Sequence, residues 1–376
     1  MNRTSICILA TIFILQGNSI GQLRVRQEVK FPDILGYKTL ACDFHTHTVF
    51  SDGYVWPTVR SEEAWRNGLD AIAITDHIEY QPHREDIPTN FNRSFQLANQ
   101  QGQDLGLIVI KGSEIIRKMP PGHFNAIFLE DATKLDTVDW RDALQAAYDQ
   151  GAFIFWNHPG WRGQQPDGMP RWYNEHTELL EKGLLHGIEV VNEHEYYPQV
   201  HQWCLEKNLT MLSNSDIHQP IYMEYDYRGG NHSAMTLVFA REKTLEAIKE
   251  ALMDQRTVAY TENTLIGQEK FLRPLFTESI EIENSTIRYK DKKQIFIRIK
   301  NQSQTDFKLT LREPVHGFDI PDEFILYAEK TNLMPVKKTT ETEKKVMELH
   351  PPYIVNNLLI RPDIGLPVEI TLKIEN

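Results

Sequence analysis

The chain reads as an α/β barrel followed by a smaller all-β sandwich. Three observations predict this. Short, almost wholly apolar runs alternate with amphipathic helical patterns from residue 39 to about 265, which is the rhythm of a βα fold. Those runs lack a strict apolar–polar alternation, so both faces of each strand are expected to be covered. Near residue 270 the pattern changes to period two, with Asn, Asp, Lys and Ser clusters at the turns, as in an antiparallel sandwich. Seven or so strands in the first part favour a closed barrel over an open sheet.

The elements follow in order. "TLACDF" predicts the first strand, then a polar loop and the helical "SEEAWRNG". "LDAIAITDH", "LGLIVIKGSEI" and "HFNAIFLE" predict the next three strands. "DWRDALQAAYDQG" predicts a helix with Trp140, Leu144, Ala147 and Tyr148 on one face and Gly151 as its stop. "AFIFWNHP" is a strand, "HTELLEKG" a helix, "GIEVVN" a strand and "YPQVHQWCLEKN" a helix. "LTMLSNSDIH" and "AMTLVFA" are strands. "TLEAIKEALMDQ" closes the series as a helix, with Leu245, Ile248 and Leu252 on one face. The expected division is a leader over residues 1–21, a barrel over 22–270 and a sandwich over 271–376.

The leader is a secretory signal by its order of features. Arg3 precedes the apolar "SICILATIFIL", which is too short to span a bilayer, and the small residues of "NSIG" follow. A secreted or periplasmic location is therefore expected. No later run approaches the roughly 18 apolar residues of a membrane span, so no membrane association is expected once the leader is removed. Cys42 and Cys204 both sit in apolar runs. They are expected to be buried small hydrophobes, not a disulfide framework or a catalytic thiolate.

The chain has 376 residues, 41% apolar and 24% charged, with a net charge of −12. A diffusely acidic surface repels phosphate backbones, so no nucleic-acid polymer is expected as a partner. The 14 histidines are not scattered. "DFHTH" follows the first strand, and "TDH", "SEI", "NHP" and "SDIH" end four others. "PGHF" places His123 at the start of the strand after Glu114. The C-terminal strand ends form the face on which barrel enzymes build their sites. In an extended H-x-H both side chains point the same way, so His45 and His47 can grip one ion. Asp216 and His218 repeat that spacing.

The candidate metal ligands are His45, His47, Asp52, His77, Glu114, His123, His158, Asp216 and His218. Imidazoles and carboxylates without thiolates suit Zn²⁺, Mn²⁺ or Fe²⁺ and argue against a structural zinc site. The set is too large for one ion and serves two or three divalent metal ions. Closely spaced metals are an arrangement used for phosphoryl hydrolysis.

In this order "DFHTHTVFSDG", "ITDH", "SEI", "GHFNAIFL", "NHP" and "SDIH" resemble the polymerase-and-histidinol-phosphatase (PHP) superfamily, over residues 39 to 262. The resemblance implies a distorted (β/α)7 TIM-like barrel and a two- or three-metal phosphoesterase site. It implies that His45, His47, Glu114 and Asp216 hold one ion. Glu114 would bridge to a second ion held also by His123 and His158, and Asp52, His77 and His218 would form a third position. Many relatives carry a histidine close to where Asp52 stands, which leaves occupancy of the third position open. "NHPGW" and the following sandwich resemble a secreted subgroup that includes phosphodiesterases.

The expected function is a secreted metal-dependent phosphoesterase acting on small phosphodiesters or phosphomonoesters, diesters favoured, through a metal-bridging hydroxide. Arg117 and Arg162, each a few residues from a ligand, are candidate phosphate contacts. His194 is a candidate general acid for the leaving group. Asp43, Asp76 and Asn157 would either hydrogen-bond ligand imidazoles or cap nearby backbone. Tyr80, Trp161, Trp172, Tyr196 and Tyr197 would stack on a substrate group or pack the loops. Two alternatives stand beside this. An amidohydrolase-type metal hydrolase is disfavoured, because Glu114 takes the place of the metal-bridging lysine. The other is a binding protein whose sandwich docks a glycan or partner.

Overall fold

The computed structural model describes residues 25–227, 231–284, 287–289, 294–339 and 346–375. The expected signal peptide, residues 1–21, lies outside the described residues.

The first domain is built on β1 (Lys38–Asp43), β2 (Ala71–Ile74), β3 (Ile108–Ile115), β4 (Phe124–Ile127), β5 (Phe153–Trp156), β6 (Gly187–Asn192), β7 (Glu195–Tyr196), β8 (Thr210–Asn214) and β9 (Met235–Ala240). A hairpin follows, β10 (Thr257–Thr261) and β11 (Thr264–Gly267). The helices are α1 (Pro57–Arg66), α2 (Arg93–Leu105), α3 (Trp140–Asp149), α4 (Asn174–Glu181), α5 (Pro198–Lys207), α6 (Leu245–Met253) and α7 (Glu269–Ser279). β1, β2 and β3 run parallel, as do β5, β6 and β8. β4 and β9 are antiparallel to their neighbours. No helix separates β3 from β4, so His123 at the start of β4 returns to the same end of the barrel as Glu114 near the end of β3.

The barrel closes between β8 and β9 through hydroxyl groups. Thr236 Oγ1 accepts from Ser213 N and donates to Ser213 O, each at 2.9 Å. Ser213 Oγ donates to Tyr260 O at 3.1 Å. This seam is where the barrel departs from a regular one.

The sequence pattern does not show α2, and its buried stripe explains why. The stripe is Ser94, Ala98 and Gly102, small residues that bring α2 close to its neighbours, with Phe95 and Leu105 packed against the core beside it. Ser61 on α1 donates to Ala98 O at 2.9 Å. A side chain at Gly102 would meet Val109 at 2.5 Å, so glycine is required for that approach.

The sandwich comprises β12 (Ile280–Ile282), β13 (Ile287–Arg288), β14 (Gln294–Asn301), β15 (Phe307–Leu311), β16 (Phe318–Asp319), β17 (Glu323–Leu326), β18 (Thr331–Lys338), β19 (Val346–Leu349), β20 (Pro352–Arg361), β21 (Ile364–Glu369) and β22 (Leu372–Glu375). Period two is plain in β14, where Ile295, Ile297 and Ile299 are buried between exposed neighbours. Helix α7 precedes the sandwich, so its first strand starts at Ile280. Phe271, Leu272, Leu275 and Phe276 of α7 enter one core with barrel and sandwich residues.

The two domains share a sheet. β11 pairs parallel with β20, with Leu265 opposite Leu358 and Ile266 opposite Leu359. The barrel hairpin therefore presents no free edge there. Leu358→Ala is expected to cost about 2–5 kcal/mol. Calorimetry of the full chain should show a single unfolding transition in both the parent and this variant. Two resolved transitions in the parent would show that the shared sheet does not couple the domains.

Candidate metal centre

The site starts where β1 stops. Past Asp43 the chain continues through His45 and His47, while Thr46 turns away and donates to Ala73 O at 2.7 Å. Thr46 forms an isolated parallel bridge with Ile217, and His47 N donates to Ile217 O at 3.1 Å. That register sets His45 and His47 beside Asp216 and His218. A second isolated bridge joins His77 to Glu114, with Ile78 N donating to Glu114 O at 3.0 Å. Two of the ligand-bearing backbones are not relaxed. His158 has φ 28 and Asp216 φ 51, a region that non-glycine residues adopt only when their surroundings impose it.

Glu114 lies at the centre. One carboxylate oxygen is 3.3 Å from His45 Nε2, 3.4 Å from His47 Nε2 and 2.9 Å from His77 Nδ1. The other is 3.2 Å from His123 Nδ1 and 3.3 Å from His158 Nε2. Asp216 Oδ1 is 3.1 Å from His45 Nε2 and 3.0 Å from His47 Nε2. Asp52 Oδ1 is 3.1 Å from His77 Nε2 and 3.2 Å from His218 Nε2. All of the candidate ligands come together. The compact groupings are His45, His47 and Glu114; His45, His158 and Asp216; Glu114, His123 and His158; and His47, Asp52, His77 and His218. The last adds His47 to the expected third position.

His47 Nε2, His77 Nδ1, Asp52 Oδ1 and Asp216 Oδ1 are buried and have no hydrogen-bond partner. Several lie within 3.5 Å of another polar atom, but not in hydrogen-bonding directions. Buried unanswered lone pairs are costly. Lone pairs that converge from imidazoles and carboxylates fit divalent cations, which would satisfy all of them.

The electrostatics agree. Burial alone would lower His45, but the carboxylates of Asp216, Glu189 and Glu114 together hold it well above its ordinary value. Against the same burial, Glu114 and Asp52 hold His77 at about 10. Asp52 and Asp216 hold His218 at about 9. His47 goes the other way, to about 3, through burial and the positive charge of His218 and His77. Glu114 is kept well below the usual carboxylate range despite burial, by His45 and His77. Protons on imidazoles thus take the place of cations in the metal-free protein.

A buried polar layer positions the ligands. Glu189 takes the Nδ1 side of His45 at 2.9 Å and accepts from Asn214 and Asn192, each at 2.9 Å, and from His158 N at 2.7 Å. That turns His45 Nε2 toward the cluster. Glu189 is not among the residues expected from the sequence. Its only signal is a lone carboxylate within the apolar strand "GIEVVN". Arg60 is not among the expected residues either. It is buried on α1 and donates to His47 O at 3.0 Å, Ile217 O at 3.2 Å and His218 O at 3.1 Å, which ties two ligand loops together. Asp43 holds Ser215, through its N–H and its hydroxyl. Asp76 accepts from Thr48 N at 2.7 Å and from the Thr48 and Ser51 hydroxyls at 2.8 Å. Both aspartates therefore brace strand-end turns and do not touch ligand imidazoles. Asn157 donates to Glu114 at 2.9 Å.

A cleft of about 610 Å³ opens over the cluster, and its lining includes Tyr80, Lys118, Trp161, Gln164, Glu193, Glu195 and Tyr197. The three expected catalytic side chains are not part of that lining. Arg117 donates to Ile116 O at 2.7 Å and Thr137 O at 3.1 Å, and pairs with Glu79. Arg162 is exposed and lies against Gly168. His194 packs on Tyr225 with ring centroids 4.9 Å apart, and lines a different cavity between the domains. Arg117 and Arg162 stand close to candidate ligands in sequence, but that closeness does not bring them into this lining. Trp172 packs with Trp156 and Trp203, and Tyr196 bonds His201, so neither reaches the cleft. Cys42 and Cys204 are free and buried. Among the described residues no helix is long and apolar enough to cross a membrane.

This architecture is found in a solved structure from Bacteroides vulgatus, a two-domain protein containing a predicted PHP-like metal-dependent phosphoesterase. The two are 46% identical, the match covers 92% of this chain and 99% of that one, and the TM-score is 0.86. Weaker likenesses exist to two other structures. One is a protein of Bifidobacterium adolescentis proposed to be a metal-dependent phosphoesterase (16% identity, 47% and 87% coverage, TM-score 0.37). The other is an amidohydrolase of Chromobacterium violaceum (15%, 48% and 88%, TM-score 0.34). Neither is strong enough to carry an argument. A family model described as an Ig-like domain matches residues 280–371. No curated protein matches the chain.

Three outcomes are expected. His77 and His218 are held above their ordinary value of 6.5, so metal binding at neutral pH must expel their protons. Titration with Mn²⁺ in buffers of different ionisation heat should show release of about two protons or more per chain, with affinity rising with pH. The sign for stability follows from the same shift. In the metal-free protein these two imidazoles stabilise the fold fully below pH 6.5, and that contribution is lost as pH rises through 9 to 10. Separately, Glu189→Gln should weaken metal affinity by about 10–100-fold, read by equilibrium dialysis with elemental analysis.

Proposed function

The chain belongs to the PHP-like metal-dependent phosphoesterases, and from that premise we propose that it is an exported hydrolase of small phosphodiesters. The observation that carries the reading is the set of convergent, unanswered lone pairs at the strand ends, under an open cleft. The same donor set supports two or three ions, with Mn²⁺, Zn²⁺ or Fe²⁺ as the suitable metals. His45, His47, Glu114 and Asp216 would hold one, Glu114 with His123 and His158 a second, and Asp52, His77 and His218 a third. Ions bound there supply Lewis acidity toward phosphoryl oxygens and lower the pKa of water at the site.

The protein's own residues do the rest. Glu114 directs one oxygen to each half of the cluster, so it would serve ions held in both halves. Glu189, Asn157 and Arg60 keep the ligands oriented without reorganisation during turnover. Lys118 gives the cleft a positive charge for the phosphate. In the reaction a water oxygen forms the new P–O bond and the P–O bond to one alcohol breaks. The alcohol departs with one of the water's protons and leaves a phosphomonoester.

The preference for diesters rests on charge. Lys118 is the one lysine or arginine in the described lining, and Glu193 and Glu195 stand in the same wall. A monoester dianion would bring a second negative charge against those carboxylates, and a diester monoanion would not. Export rests on the leader and agrees with the predicted absence of a nucleic-acid partner.

With Mn²⁺ loaded, kcat/KM for bis(p-nitrophenyl) phosphate should exceed that for p-nitrophenyl phosphate by about tenfold or more. Chelation should abolish both activities. Equal rates or the reverse preference would remove the diester assignment. No turnover of either ester by protein shown to contain metal would remove the phosphoesterase reading.

A further inference from the structure

The cleft wall beyond the cluster differs from a phosphate site. Trp161 is 48% exposed, and its ring centroid lies 5.6 Å from those of both His123 and His158. The Tyr197 ring lies against Gly160, where a Cβ would sit 2.6 Å from it. The Tyr197 hydroxyl donates to Glu195 at 3.2 Å. Glu193 lines the same wall, within electrostatic reach of Asp216 and His158. Its backbone is held at φ 53, with its N–H on Asn214 O at 3.0 Å, so the turn that presents it is fixed. Among the described residues neither Glu193 nor Glu195 pairs with a lysine or arginine. Lys118, the cation of the cleft, comes from the separate loop between β3 and β4.

We infer that this wall receives an alkylammonium group, so that the substrate is a phosphodiester in which one alcohol carries a positive charge. The inference rests on the phosphodiesterase reading of the same site. Glu193 and Glu195, which have no lysine or arginine partner among the described residues, attract an organic cation by charge, and the exposed indole of Trp161 in the same lining attracts it through the ring quadrupole. A neutral aryl group would stack on Trp161 and gain nothing from the charge of the two exposed carboxylates. A second anionic group would be repelled. The phosphate of such an ester is directed to the metal ligands and Lys118, and the ammonium to Trp161, Glu193 and Glu195.

The test uses the metal-loaded full chain and two esters of one shape. These are p-nitrophenyl phosphocholine and p-nitrophenyl neohexyl phosphate, in which carbon replaces the charged nitrogen. The expected ratio of kcat/KM is about tenfold or more in favour of the cationic ester. Glu195→Gln, Glu193→Gln and Trp161→Leu should each lower that ratio several-fold, and the ratio is insensitive to partial loss of folded protein. A ratio near one with both esters hydrolysed overturns the inference and leaves the phosphodiesterase standing. Hydrolysis of neither overturns both. A ratio that survives all three substitutions overturns the assignment to this wall. Hydrolysis of glycerophosphocholine without hydrolysis of phosphatidylcholine vesicles assigns the free ester as the source, and hydrolysis of both extends it to the lipid.

Discussion

The structure is organised around one buried carboxylate. Glu114 is 1% exposed and has five imidazoles within 3.4 Å of its oxygens. An isolated carboxylate in such a place would be prohibitively costly, so positive charge must accompany it. Metal ions supply that charge in a working enzyme, and raised imidazoles supply it without them. The backbone bridge from His77 to Glu114, the antiparallel return through β4 and the Asn157 hydrogen bond all serve to keep this group where both halves of the cluster can share it.

Around it lies a layer whose members touch ligands or ligand backbones but do not belong to the cluster. Glu189 fixes a ring orientation, Arg60 joins two loops through their carbonyls, Asp43 braces the turn after β8 and Asp76 the turn after β1. Their combined effect is rigidity. The left-handed backbones of His158 and Asp216 persist because this layer over-determines them. Such preorganisation is what lets a site stabilise charge without rearranging.

The second domain is tied in by more than a linker. β11 continues the barrel sheet onto β20, and α7 places its apolar face in the common core. The same side of the barrel carries the β6–β7 turn, which sends Glu193 and Glu195 into the cleft and His194 toward the interdomain cavity. A single turn thereby separates two spaces of different character.

What the sequence determined by itself was local. H-x-H declares its shared face because strand periodicity acts over two residues, and apolar runs declare strands because burial acts on each residue separately. The clustering of the candidate ligands, the barrel order and the switch to a sandwich were legible on those grounds. Tertiary structure alone decided the rest. Glu189 and His45 are 144 positions apart, so a lone glutamate in a strand could not announce its partner. Arg60 carried no signal in the sequence, because two of its carbonyl acceptors lie in a loop more than 150 residues away. Arg117 and Arg162 are near candidate ligands along the chain and His194 follows the end of β6, yet none of the three is in the cleft lining. Helix α2 buries mainly small residues, so its apolar period is faint in the sequence. In each case the deciding quantity was a direction or a contact between distant segments, which exists only once the barrel has closed.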